Sequence, residues 1–123
     1  LRIRDRDETV GWAVCLDTPM SAGKYFGNMR VGSIVDCLAL PQDAGRVVRA
    51  AARVLQKRGA DLLVSNQSHA AWRKAFRRAG FLTGSSNYVF ATSKKLTYLL
   101  EQIDPFEAGV HLTRGDGDGP IHL

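Results

Sequence analysis

The chain has 123 residues, 45% of them hydrophobic and 24% charged. That is one globular domain's worth of sequence, with enough apolar side chains for a real core. No run approaches the ~18 apolar residues that a membrane-spanning helix needs, and no charged-then-apolar leader reads from it, so a cytoplasmic protein is expected. The net charge of +5 comes mainly from arginine, and it leaves two readings open: solvated outer faces, or attraction of an anionic ligand.

Leu1–Arg4 and Thr9–Asp17 read as two strands of a hairpin around the charged turn Asp5-Arg6-Asp7-Glu8. The strand pattern is already in progress at Leu1, which suggests a piece of a longer protein with sheet partners upstream. Gly11 predicts a bulge or a close backbone approach. Thr18–Lys24, with Pro19 and Gly23, reads as a loop. A long strand is predicted from about Tyr25 to Leu40. Its last residues are apolar on both sides, as in a central strand covered on two faces. Asp36 interrupts that run. A carboxylate there needs a partner, such as an arginine or a backbone N–H, or else it is a base whose pKa is raised in a cleft.

After Pro41 a short polar connector, residues 42–45, opens a helix over Arg46–Arg58, with Val47, Val48, Ala51, Val54 and Leu55 on one face. Gly59 ends it, and Asp61–Ser65 reads as a second buried strand. A second helix spans His69–Ala79, with Trp72, Ala75, Phe76 and Ala79 inward. Strand, helix and strand with short connectors form a βαβ crossover, so the two strands are parallel and the first helix turns its free N–H groups toward a strand end. Such a helix start is a natural anion site. A further strand is expected over Asn87–Thr92, then a helix from Lys94 to about Ile103 capped by Ser93.

The tail, residues 104–123, is a glycine-rich extension read as two short strands around a turn. Asp116 and Asp118 resemble the start of a calcium loop, but the third ligand and the closing glutamate are absent, so no metal is expected. Cys15 and Cys37 lie in apolar runs without metal-ligand spacing and read as reduced core thiols. No nucleic-acid motif is present, and the arginine faces lack the aromatic platform that single strands require.

The order of elements, with Gln42-Asp43-Ala44-Gly45-Arg46-Val47 after the long strand and the helix ending at Gly80-Phe81, resembles the C-terminal two-thirds of a GNAT-type N-acyltransferase. Gln42 and Gly45 match the family's Gln/Arg-x-x-Gly-x-Gly/Ala signature, and Val47 replaces its last small residue. The resemblance covers residues 1–92, without the family's first strand and first two helices. It implies an α+β fold, a mixed and mostly antiparallel sheet flanked by helices, in a single partial domain. It also implies acetyl-CoA or another acyl-CoA as cofactor and an amine-bearing acceptor.

The same resemblance implies that the amides of Gln42, Asp43, Ala44, Gly45, Arg46 and Val47 hold the pyrophosphate. Leu38 and Leu40 would pair with the pantetheine arm through their backbones, and an exposed N–H of the central strand would stabilise the developing oxyanion. Asn66 and Phe76 fall at further cofactor-contact positions. The tyrosine that family members place four residues before the Gly-Phe glycine is Phe76 here. Asp36 is then the candidate base and His69 the candidate acid in place of that tyrosine, although a histidine at a helix start also serves as a cap. The alternative reading is a non-catalytic GNAT-like module for cofactor sensing or for assembly, with a homodimer formed through an open sheet edge.

Overall fold

The computed structural model describes residues 1–23, 27–84, 93–101 and 111–113. Strands β1 (Arg2–Asp5), β2 (Glu8–Gly23) and β3 (Gly27–Ala39) are followed by helix α1 (Ala44–Lys57), strand β4 (Leu62–Ser65) and helices α2 (Ala70–Arg78) and α3 (Lys94–Glu101). The sheet order is β1-β2-β3-β4, with antiparallel pairing up to β3 and parallel pairing between β3 and β4. The expected α+β architecture with a mixed, mostly antiparallel sheet is therefore present. The expected strand at Asn87–Thr92 and most of the tail lie outside the described residues.

One face of the sheet carries α1, because the 3.6-residue period aligns Ala44, Val47, Val48, Ala51 and Leu55, all buried. They pack on Ala13, Ile34 and Cys37 of the sheet and on Trp72, Ala75 and Phe76 of α2. Burying side chains such as Val47, Val48 and Leu55 stabilises the fold by about 1.5–3 kcal/mol each. Both α1 and α2 stop at glycines with left-handed backbone, Gly59 and Gly80.

Gly11 meets its expectation doubly. Val10 is the extra residue of a bulge between Ile3–Gly11 and Arg4–Thr9, and a Cβ on Gly11 would lie 2.6 Å from Val47 Cγ2 and 2.7 Å from the Leu38 carbonyl oxygen. Only a glycine lets α1 settle so close to β2.

Two expectations are corrected. The predicted loop at 18–24 is strand as far as Gly23, with Pro19 opposite Arg30. Proline is tolerated there because β1 pairs only with Glu8–Trp12, and among the described residues the outer edge of β2 beyond it is unpaired. The long strand is also not covered on both faces along its whole length. Val31 to Val35 are buried, but Leu38 is 69% exposed and stands opposite the half-exposed Trp12.

A second bulge explains how β3 keeps its core residues aligned. Val14 pairs with Asp36 and Cys15 with Ile34, so Val35 is extra. Ile34 and Cys37 are three residues apart and would face opposite sides of a regular strand. The bulge restores them to the same face, against α1.

Candidate functional site

The parallel pairing of β4 with β3 begins at Leu62 and Val31 and ends at Ser65 and Ile34. Its start is pinned by Asp61, whose N–H donates to the Arg30 carbonyl and whose carboxylate accepts from the Arg30 N–H, both at 2.8 Å. Its end is pinned by the Ser65 hydroxyl, which donates to the Ile34 carbonyl at 2.8 Å. β4 is paired along all four of its residues and ends at Ser65, while β3 continues to Ala39, leaving among the described residues a gap in the sheet beside Cys37 and Ala39.

The backbone along the gap is ordered by alternation. The Leu38 carbonyl points toward Gly11 of β2, so the neighbouring residues Cys37 and Ala39 turn their amide groups to the gap side. The Cys37 N–H, left without a strand partner, donates to the Asp36 carboxylate at 2.7 Å. Asp36 thus has the backbone partner that its place in an apolar run demands. It is half-buried, and its strand position opposite the exposed Val14 puts it on the face away from α1. Leu40 closes the turn to the helix: its carbonyl accepts the Asp43 N–H at 2.9 Å.

At the start of α1 the Asp43 carbonyl accepts the N–H groups of Arg46 and Val47, and the Asp43 side chain makes no cap bond. Those two predicted phosphate donors are therefore already engaged, as is the Asp43 N–H. The amides of Gln42, Ala44 and Gly45 have no partner among the described residues. Gln42 is exposed, Gly45 partly so, and Ala44 is buried at 1% exposure. A buried N–H without an acceptor costs about 1–3 kcal/mol. The negative charge of Asp43 is met by Arg46, 3.4 Å away, which also binds Asp5 at 2.8 Å.

Arg49 is exposed on the outer face of α1. Its guanidinium lies over the first turn, where a Cβ on Gly45 would sit 3.2 Å from Nη1. The matched glycine leaves room for a cation rather than for a side chain of its own. Arg49 has no carboxylate partner among the described residues.

His69 is the N-cap of α2, and its Nδ1 accepts the Ala71 N–H at 3.1 Å. While it caps, the ring is neutral and only its Nε2–H is left to donate. Asp36 and His69 share no hydrogen bond or ion pair. The His69 ring instead meets His111, with centroids 6.1 Å apart, and His111 stacks on Trp72 at 6.3 Å. Phe76 is buried against Phe81, centroids 4.9 Å apart, and Asn66 is exposed just beyond β4.

Gln67 ties this cluster to the gap. Its Nε2 stands 3.4 Å from both Cys37 Sγ and Ser65 Oγ, and its Oε1 is 3.2 Å from His111 Nε2. An amide whose nitrogen faces those two groups offers its oxygen to a protonated His111 Nε2, leaving His111 Nδ1 as an acceptor. Burial pushes the Cys37 thiol up to about 11, so it stays protonated and inert at neutral pH. His111 and Gln67 were missed in the sequence because Gln67 meets Thr113 through a bridge between distant segments, and no local pattern announces such a contact.

Among the described residues no helix is long and apolar enough to cross a membrane, and no group of three or more His, Cys, Asp or Glu is placed to hold a metal ion. No protein-family model, curated protein or solved structure matches the chain.

Proposed function

We propose that the chain forms the cofactor-binding part of an acyl-CoA-dependent N-acyltransferase, transferring an acyl group to an amine. The observation that carries this reading is that β4 ends at Ser65 while β3 runs on to Ala39 and to a turn and helix start whose Gln42, Ala44 and Gly45 amides lack partners among the described residues. Acyl-CoA would supply an activated thioester.

In this reading the Gln42 and Gly45 amides and the Arg49 guanidinium receive the diphosphate. The gap edge of β3, Cys37 and Ala39, takes the pantetheine arm. The Cys37 N–H faces the place where negative charge develops on the acyl oxygen. Asp36 holds that N–H in the resting protein. As Asp36 takes the proton of the attacking amine, directly or through water, its neutral carboxyl holds the N–H less tightly and releases it to the acyl oxygen. Attack would form the C–N bond as the C–S bond breaks, and the proton taken by Asp36 would return through solvent to the leaving sulfur, to which the His69 Nε2–H would donate a hydrogen bond.

The test is thiol release from acetyl-CoA with a panel of amines. Saturable turnover that is lost in Asp36→Asn, with acetyl-CoA binding kept, supports the transferase. Absence of acetyl-CoA binding at millimolar concentration overturns it. A second reading, a cofactor-binding module without catalysis, is favoured by the cap, which engages His69 Nδ1, and by the burial of Phe76, which has no proton to give. Binding without turnover selects it.

A further inference from the structure

We infer that the cleft between β1 and α1, which shares Arg49 with the proposed diphosphate site, is a second binding site, for a small organic phosphate. The cleft has a volume of about 320 Å³ and is walled by Arg4, Arg46, Arg49 and Arg53 with Asp5, over a partly exposed apolar floor of Ile3, Val10 and Ala50. It lies on the β1 side of α1, and the gap beside Cys37 and Ala39 contributes no residue to it.

The arginines are not equivalent. Arg46 is spent on Asp5 and Asp43, which ties α1 to β1. Arg4 is engaged by Asp7 at 3.5 Å. Arg49 and Arg53 have no anionic partner among the described residues, and they stand one helical turn apart on the same wall. Two neighbouring guanidiniums with uncompensated charge repel each other, and a doubly charged phosphate monoester placed between them relieves that repulsion through forked hydrogen bonds. The floor gives the ligand's body something to cover. Val10 belongs to that floor as the extra residue of the first bulge. The volume falls at the lower end of small-molecule pockets, which suits a ligand of a few rings at most. This inference does not rest on the acyltransferase reading.

Phenyl phosphate and inorganic phosphate, each titrated into the protein at low salt with backbone amide NMR shifts as readout, provide the test. Phenyl phosphate is expected to give saturable shifts at Ile3, Val10, Ala50 and Arg53, to bind more tightly than inorganic phosphate, and to weaken about ten-fold or more in Arg53→Gln. Ala50→Phe, which fills the floor, should remove the preference for the phenyl compound while keeping the folded spectrum. Equal affinity for the two probes would overturn the inference. So would shifts spread without saturation over the basic face of α2, or unchanged affinity in Arg53→Gln.

Discussion

The hydroxyl of Ser65 donates to the carbonyl of Ile34 at 2.8 Å, at the last point where β4 pairs with β3. That bond ties the end of β4 to β3, next to the stretch of β3 on which the functional reading depends. Ser65→Ala should cost about 0.5–1.5 kcal/mol of stability. It should also speed hydrogen exchange at Val64 and Ser65 more than at the pinned start, Leu62. Uniform acceleration along β4 would show that its end is not held locally.

The contact of Gly11 with α1 predicts a clear stability loss. Gly11→Ala places a methyl 2.6 Å from Val47 Cγ2 and 2.7 Å from the Leu38 carbonyl oxygen, and the backbone oxygen cannot rotate aside. A destabilisation of about 1–3 kcal/mol is expected in chemical denaturation. Val47→Ala in the same background should recover part of it, since one of the clashing atoms is then gone.

Ser33 is 2% exposed, and its hydroxyl has no hydrogen-bond partner among the described residues. Ser33→Ala removes a desolvated polar group with little change of volume, so it should stabilise by about 1 kcal/mol. A measured loss of similar size would mean that the hydroxyl has an acceptor in solution.

How much of this was legible in the sequence varies with the range of the forces involved. The inward faces of α1 and α2 follow from residues spaced along one helix, and Val47, Ala51, Trp72 and Phe76 are buried as their period requires. Gly11 signalled the bulge at Val10, but nothing local signalled the one at Val35, which is a slip relative to a neighbouring strand. Pro19 and Gly23 carry loop signals that an unpaired strand edge tolerates equally well. At the site, the resemblance pointed to the helix start, but not to Arg49 over Gly45 or to the Asp36 carboxylate on the Cys37 N–H. Those are contacts of particular atoms, set by the packed backbone.

Cys37 predicts how stability responds to alkali. Its thiol is raised from an ordinary 9.0 to about 11 by burial, so the folded protein keeps a proton that the unfolded chain loses first. Stability from this group is complete below pH 9 and is lost as the pH rises from about 9 to about 11. Replacing Cys37 with Ala should flatten that part of the stability profile, and native Cys37 should resist alkylation at pH 7.

His69 separates capping from chemistry. His69→Ala removes the bond to the Ala71 N–H and should cost about 0.5–2 kcal/mol, whereas His69→Asn retains a cap. If turnover follows the cap, Asn restores it. If turnover needs the Nε2–H at the leaving sulfur, Asn restores stability alone.

The most direct measurement is a crystal structure of the protein with bound CoA. The diphosphate is expected beside the Gln42 and Gly45 amides with the Arg49 guanidinium against it, and the pantetheine arm along Cys37 and Ala39, past the end of β4. Density for CoA elsewhere, or an empty gap at saturating CoA, would contradict the acyltransferase reading.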